Sequence, residues 1–310
     1  MSLRDRVAVG AFRAGWRFAR AVPEDLAVTA SRHAADALAR RGGPRVEQLR
    51  RNLARARPDA APAELDVLVR DGLRSYARYW LDAFRLPAWT RERTVGAARF
   101  ERGQDLRAAL ADGRGAVAFL GHLGNWDHAA AWSATELAPV VTVAERLRPE
   151  QVYAEFLAFR RSLGVEVLPL GDPASFGTLL RRLRAGAFVP LLADRDLTGA
   201  GVEVDFLAGR VRMAQGPATL ALATGAPLFP IGLFHEVRQG RRVLVLDVAD
   251  RVPAPARRPG EGPREHRRRA VAEMTQACAD ALAEVVVAHP DEWHVLQPVF
   301  APVVPPPPGR

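Results

Sequence analysis

The chain has 310 residues, of which 48% are hydrophobic and 25% charged. That composition indicates a folded globular protein and excludes a disordered or fibrous one. The sequence contains no lysine, so arginine carries all of the positive charge behind the net charge of +9. Guanidinium groups pair well with phosphates and carboxylates, which suits anionic headgroups, nucleic acid or a phosphorylated carrier. Codon bias in a GC-rich genome would explain the choice of arginine over lysine, but not the sign of the net charge.

The single cysteine, Cys278, excludes an intramolecular disulfide and favours a reducing, cytoplasmic setting. No segment approaches the roughly 18 apolar residues that a membrane-spanning helix needs. Arg13, Arg17 and Arg20 interrupt what would be the apolar part of a signal peptide. We therefore expect a protein that is soluble or lies on a membrane surface.

The first predicted element is an amphipathic helix over residues 3–22, with apolar positions at helical spacing and arginines on another face. Phe12 and Trp16 flank the basic face, so this helix could lie in a bilayer interface with its rings at headgroup depth. Packing of its apolar stripe on the domain is an equally good interpretation. The apolar positions are Leu3, Val7, Ala11, Ala14, Phe18 and Val22, and the basic ones are Arg6, Arg13, Arg17 and Arg20.

The helical pattern continues over 28–57 and 62–86, which predicts an N-terminal helical layer within residues 1–90. Over 91–301, short apolar runs alternate with helical stretches, a pattern typical of an α/β core. The fold class is therefore α/β, with a central mixed sheet of about seven strands flanked by helices in a single domain over 1–301. A long helix is predicted over 263–288 and a polyproline-like tail over 302–310. The predicted strands span 115–120, 140–144, 165–170, 188–193, 202–206, 228–234 and 242–248.

The most informative segment is the loop that follows the apolar run at 116–120. His122 lies between two glycines, Asn125 can cap a new helix, and Asp127 falls in the first turn of that helix. An imidazole is a useful general base when its other nitrogen donates to an acceptor that fixes the tautomer, and Asp127 can be that acceptor. Open α/β sheets bind ligands at the carboxyl ends of their strands, where this loop lies. The segment therefore predicts a catalytic site.

These residues resemble the lysophospholipid acyltransferase superfamily, whose hallmark is a histidine followed five residues later by Asp or Glu. More narrowly, the chain resembles the lipid A biosynthesis acyltransferase family, and within it the branch that acylates phosphatidylinositol mannosides. The likeness covers nearly the whole chain. Beyond the motif at 121–127, it includes Ser-Tyr-Ala-Arg-Tyr-Trp at 75–80, Phe-Arg-Leu-Pro at 84–87, Ala-Asp-Arg-Asp at 193–196, Gly-Val-Glu-Val at 201–204, Gly-Pro-Ala at 216–218 and Trp-His-Val-Leu-Gln-Pro at 293–298.

The resemblance implies an acyl-CoA co-substrate, with palmitoyl as the expected acyl group. The acceptor would be a mannose 6-hydroxyl of a mannosylated inositol phospholipid, at the anionic cytoplasmic face of the plasma membrane. It implies no metal and no cofactor. The lipid A branch often carries Glu where Asp127 stands, whereas Tyr-Ala-Arg-Tyr-Trp and Ala-Asp-Arg-Asp favour the mannoside branch.

By the same resemblance, His122 is the base, Asp127 its acidic partner, and Glu203 a second acidic residue near the histidine. Arg160 would line the site, and Asn125 and Trp126 within the motif are candidates for substrate contact. From the residues alone, Glu203 alternates with Asp205 on a short strand and could simply face solvent. Arg195, between Asp194 and Asp196, either pairs with those carboxylates or holds a phosphate of the substrate.

Two rival functions fit parts of the sequence. One is an enzyme of the same fold acting on a lipid A precursor or a lysophospholipid. The other is a noncatalytic basic protein that binds membrane or nucleic acid, which would concentrate its arginines in one stripe with stacking aromatics. Here the arginines are spread along the chain among acidic residues, and no nucleic-acid motif is present, so we expect no nucleic-acid partner.

Overall fold

The computed structural model describes residues 9–10, 14–17 and 19–300. The described parts of the first predicted helix are helical as far as Ala21, and the remainder, including Arg6, Phe12 and Arg13, lies outside the described residues. The helices that follow are α1 (Glu24–Arg41), α2 (Pro44–Ala56), α3 (Pro62–Arg85), α4 (Arg91–Gly96), α5 (Gln104–Ala111), α6 (Trp126–Glu136), α7 (Glu150–Ser162), α8 (Pro173–Arg184), α9 (Gly216–Thr224) and α10 (Pro263–Ala288).

The strands are β1 (Ala98–Glu101), β2 (Ala116–Leu120), β3 (Val140–Ala144), β4 (Val165–Pro169), β5 (Phe188–Leu192), β6 (Val202–Phe206), β7 (Gly209–Met213), β8 (Leu228–Arg238) and β9 (Arg241–Val248). Seven of them form one sheet in the order β1-β9-β8-β2-β5-β3-β4. β8 and β9 pair antiparallel, and every other pair in this sheet is parallel. The predicted α/β class with a mixed seven-stranded sheet is confirmed.

The N-terminal helical layer is also confirmed, with α1, α2 and α3 broken where glycine and proline interrupt the pattern. Pro44 and Pro62 occupy first-turn positions, where the missing N–H costs no hydrogen bond. Trp16 stacks on Phe84 of α3 at a centroid distance of 5.5 Å and meets Phe159 of α7 edge-on at 5.3 Å. These contacts favour the alternative that this part of the chain packs on the domain, and an interfacial position for the helix stays a prediction.

Two details of the sheet differ from the prediction. The predicted strand at 202–206 is β6, which pairs with β7 in a separate antiparallel hairpin. Its side chains alternate, with Val204 and Phe206 buried and Glu203 exposed, as in a strand with one face packed on a helix. That helix is α10, whose Gln276 bonds both the N–H and the C=O of Asp205. The seventh place in the central sheet is taken by β1, which was too short to be recognised.

The middle of the sheet positions the site. β2 is buried along its whole length, and Leu120 at its end pairs with Leu192 at the end of β5. The loop between β2 and α6 turns sharply at Gly124, where φ is +55° and a Cβ would collide with the backbone of Leu233. The chain therefore turns away from the sheet two residues after His122, which itself lies in the loop beyond the end of β2.

Candidate active site

The loop that carries His122 is held by the segment after α10. The N–H of His294 donates to the C=O of His122 at 2.8 Å, and the N–H of Gly124 donates to the C=O of Glu292 at 3.0 Å. Leu123 and Trp293 form an isolated antiparallel bridge between these contacts. The His122 side chain is 19% exposed at the surface of a cavity, so its backbone is fixed while its ring remains accessible.

The partner of the His122 ring is Asp194. The ring Nδ1 lies 2.5 Å from Asp194 Oδ1, and the His122 N–H donates to Oδ2 of the same carboxylate at 3.0 Å. A carboxylate only accepts, so Nδ1 carries the proton and Nε2 presents a lone pair to the cavity. This is the arrangement that a general base requires.

Asp194 is 1% exposed, which makes its charge costly unless it is compensated. Burial acts to raise the pKa of Asp194, but His122 and the indole N–H of Trp293, which donates to Oδ2 at 3.0 Å, outweigh burial. The pKa of Asp194 is therefore lower than its ordinary value, and the residue is a carboxylate at neutral pH.

Asp127 does not contact His122 as predicted. Its Oδ1 accepts from Arg160 Nε at 2.8 Å, and its Oδ2 accepts from the Tyr79 hydroxyl, also at 2.8 Å. The prediction that Asp127 is the acceptor for the His122 ring is wrong, because α6 begins at Trp126 and directs this carboxylate towards α3 and α7. A catalytic role for Asp127 stays a prediction, and the contact that could carry it runs through Arg160 at the cavity wall.

Glu203 does not line the cavity. It lies on the exposed face of β6 with a side chain 58% exposed, and its nearest cations are Arg210 and Arg212, each at 3.9 Å. The predicted position of Glu203 beside the histidine is wrong, and its solvent-facing alternative agrees with the structure. The acidic partner of the His122 ring is instead Asp194, which the sequence did not identify as a partner although it lies in the Ala-Asp-Arg-Asp segment at 193–196.

The cavity beside His122 has a volume of about 450 Å³. Trp126 contributes to its wall, as predicted for a substrate contact. Asn125 does not, since it is 1% exposed and caps α6 by accepting from the N–H of His128 at 2.9 Å. The other walls are largely apolar, with Arg160 and Arg195 as the basic residues, and they include Trp80, Val143, Leu147, Phe156, Leu170 and Leu191.

The two other histidines near this loop are buried and serve the fold. Burial lowers the pKa of His128 to about 4, and its Nε2 donates to the C=O of Thr94 at 2.8 Å. Burial lowers the pKa of His294 to about 3, and its Nε2 is hydrogen-bonded to the Ser75 hydroxyl at 3.0 Å. Among the described residues, His122 is the histidine that lines the cavity.

Substitution of Asp127 by Asn is expected to destabilise the protein and reduce turnover together. Arg160 is nearly buried, so loss of its counter-ion leaves an unpaired charge and costs about 3 kcal/mol in the free energy of unfolding. Denaturant unfolding and initial rates on the same preparation measure both effects, with Asp205→Asn on the exposed side of β6 as control. Unchanged stability would show that the Asp127–Arg160 pair does not support the fold.

Replacement of Trp293 by Phe is expected to lower kcat about tenfold and to leave KM unchanged. Phenylalanine retains ring contact with Phe206 but removes the N–H that holds Asp194, and a hydrogen bond to a charged group is worth about 1.5–3 kcal/mol. The control is Trp132→Phe, a buried ring that stacks on Phe100 away from this site. Equal losses of kcat in both variants would assign Trp293 to packing alone.

Comparison with known proteins gives consistent matches over nearly the whole chain. A family model described as bacterial lipid A biosynthesis acyltransferase matches residues 6–301. A protein of Mycolicibacterium smegmatis named phosphatidylinositol mannoside acyltransferase is 43% identical over 96% of this chain and 95% of its own length. Two Mycobacterium tuberculosis proteins, from strains CDC 1551 and H37Rv, bear the same name and are each 44% identical over 93% of this chain and 87% of their own length.

Proposed function

This chain belongs to the bacterial lipid A biosynthesis acyltransferase family, and we propose that it acylates a mannosylated inositol phospholipid. The acyl group, a palmitoyl chain, passes from acyl-CoA to a mannose 6-hydroxyl of a phosphatidyl-myo-inositol mannoside. The general activity, acyl transfer, follows from membership of the family. The choice of acceptor is supported by the names of the mycobacterial relatives and by their match over nearly the whole chain.

The observation that carries the proposal is the His122–Asp194 pair at the mouth of a mainly apolar cavity. Neutral His122 accepts the proton of the acceptor hydroxyl at Nε2 as the hydroxyl oxygen attacks the thioester carbonyl carbon. Asp194 stabilises the imidazolium that forms. The C–S bond of the tetrahedral intermediate then breaks, which leaves the ester on the acceptor. The coenzyme A thiolate that departs takes the proton from the His122 imidazolium, and the histidine is neutral again.

The lining of the cavity agrees with an acyl-CoA donor, which has an apolar acyl chain and a polar coenzyme A part. Its apolar wall, with Trp80, Leu147 and Phe156, suits an acyl chain, and Arg160 and Arg195 in the same lining suit the polar parts of the substrates. A thiolate leaves without strong acid assistance, so this mechanism requires neither a metal nor a redox cofactor.

A panel of acceptors tests the acceptor choice against the rival lipids. Purified protein is incubated with palmitoyl-CoA, and thiol release is measured with mannosylated inositol phospholipids, a lipid A precursor and a lysophospholipid. We expect acceptor-dependent release with the mannosylated lipids. Release only with the lipid A precursor or the lysophospholipid would overturn the proposed acceptor and leave the acyltransferase assignment in place.

We also propose that the protein acts as a peripheral protein at the anionic cytoplasmic face of the plasma membrane, because its proposed acceptor is a membrane lipid. None of the helices in the described ranges is both long and apolar enough to span a bilayer. Exposed Arg17 and Arg20 belong to the basic face of the N-terminal segment, and each arginine near anionic lipid contributes about 1 kcal/mol.

Changing Arg6, Arg13, Arg17 and Arg20 to Gln is expected to weaken co-sedimentation with anionic vesicles, most clearly at low salt. Turnover on a detergent-dispersed acceptor should be retained, since Arg17 and Arg20 are not among the residues that line the cavity. Vesicle binding equal to that of the parent protein would place the membrane contact elsewhere on the surface.

A further inference from the structure

Arg195 is a basic residue of the cavity whose charge is not balanced by an acidic partner. The neighbouring carboxylate of Asp194 is occupied by His122 and Trp293, and that of Asp196 accepts from the N–H groups of Thr198 and Gly201. Within residues 19–300, the buried Nε of Arg195 has no hydrogen-bond acceptor. The alternative that Arg195 pairs with Asp194 or Asp196 is therefore wrong.

The guanidinium lies beside the reactive nitrogen of the base. Arg195 Nη2 is 3.4 Å from His122 Nε2, which is longer than a good hydrogen bond. In the reactive complex, the acceptor hydroxyl is hydrogen-bonded to Nε2 and its oxygen lies about 3 Å from the carbonyl carbon that it attacks. The carbonyl oxygen of the thioester is then within reach of the same guanidinium.

Three backbone donors of this loop are already engaged. The N–H of Gly124 donates to Glu292, the N–H of Leu123 donates to Gly121, and the N–H of His122 donates to Asp194. Arg160, the second basic residue of the cavity, has its Nε bonded to Asp127 at 2.8 Å. Of the two arginines in the cavity wall, Arg160 is paired with Asp127, and Arg195 has no carboxylate within ion-pair distance among the described residues.

We propose that Arg195 donates to the thioester carbonyl oxygen and stabilises the oxyanion of the tetrahedral intermediate. This inference rests on the proposed acyl transfer. In the intermediate, the four charges alternate along the site, from the Asp194 carboxylate through the His122 imidazolium and the oxyanion to the Arg195 guanidinium. A hydrogen-bond donor that is already aimed at the oxyanion position stabilises the transition state more than it stabilises the bound substrate. Its removal therefore lowers kcat more than it weakens substrate binding.

The competing role for Arg195 is ground-state binding of a phosphate of coenzyme A, and the two roles differ in what they do to binding. A thioether analogue of palmitoyl-CoA, in which a CH₂ replaces the carbonyl, retains every phosphate but has no carbonyl oxygen. An oxyanion donor contributes nothing to the Kd of this analogue. A phosphate-binding arginine contributes to it strongly.

The test compares Arg195→Gln and Arg195→Lys with the parent protein in kcat and in the Kd of the thioether. Arg161→Gln, on the exposed side of α7, is the matched control. We expect kcat of Arg195→Gln to fall about 10²–10³-fold with a less than about twofold change in Kd, and Arg195→Lys to recover part of the loss because it restores a charged donor. Thermal melting establishes that both variants are folded.

Two results would overturn the inference. One is an unchanged kcat in folded Arg195→Gln, and the other is a Kd weakened about tenfold or more with kcat retained, which would assign Arg195 to a phosphate. The assay uses whichever lipid gives the highest turnover in the acceptor panel. A different preferred acceptor therefore overturns the proposed function alone, and a kcat that is insensitive to Arg195 overturns this inference alone.

Discussion

Replacement of His122 by Ala is expected to reduce acyl transfer by about 10²–10⁴-fold. A positioned general base contributes about 10²–10⁴-fold, and among the described residues no second histidine lines the cavity to replace it. The partly exposed side chain lies on a loop that is fixed by backbone hydrogen bonds, so its truncation leaves no hole in the core.

The measurement is acceptor-dependent release of coenzyme A by folded His122→Ala, with His33→Ala on the exposed side of α1 as the matched control. The control should retain the parent rate and the same melting temperature. If folded His122→Ala retains a tenth of the parent rate, the proton must be removed by another group and the mechanism is wrong.

The second large effect is expected from Asp194→Asn, with a loss of about 10²–10⁴-fold in kcat. The amide has the shape of the carboxylate but no charge to stabilise the imidazolium. If it turns its NH₂ group towards Nδ1, the ring is held in the tautomer with the proton on Nε2, where it cannot act as a base.

The same variant tests the choice between two acidic residues. Glu203→Gln is the matched control, since Glu203 is exposed on the hairpin and should tolerate the change with nearly full activity. Equal losses in the two variants, or a larger loss for Glu203→Gln, would show that Glu203 is the functional partner of the histidine.

Asp194 also links stability to pH. Because its pKa is lower in the folded protein than its ordinary value, its contribution to stability is fully present above that ordinary value, near pH 4, and is lost as the pH falls through the folded-state pKa. Asp194→Asn should therefore be less stable than the parent at neutral pH, and the difference should narrow on acidification. A stability difference that narrows on acidification indicates that Asp194 is charged at neutral pH, whereas a protonated Asp194 would give a difference that does not change with pH.

The position of His122 at the cavity could be predicted from the sequence because the evidence for it is local. An apolar strand, two glycines, a histidine and a helix cap occur within about ten residues, and the structure places His122 at the cavity as expected. The helix over 263–288 could also be predicted to its ends, since Pro263 starts a long pattern without a break. Each of these features needs no knowledge of which strands are neighbours.

The hydrogen-bond partner of the His122 ring could not be found in that way. His122 and Asp194 are 72 residues apart and meet because Leu120 pairs with Leu192, so that each residue lies two positions beyond the end of its strand. The neighbours in the sheet are β2 and β5, which are not consecutive in the chain. Asp127 was close in sequence and therefore the natural choice, but the start of α6 turns its carboxylate towards Arg160 and Tyr79.

Identification of the reaction product tests whether the protein transfers an acyl group to a mannose hydroxyl. Purified protein, isotope-labelled palmitoyl-CoA and a phosphatidyl-myo-inositol mannoside are incubated, and the lipid product is analysed by tandem mass spectrometry. We expect one labelled palmitoyl group on the mannose 6-position, formed by the parent protein and not by His122→Ala. Label recovered only as free palmitate, or in a glycolipid made equally well by His122→Ala, would contradict it.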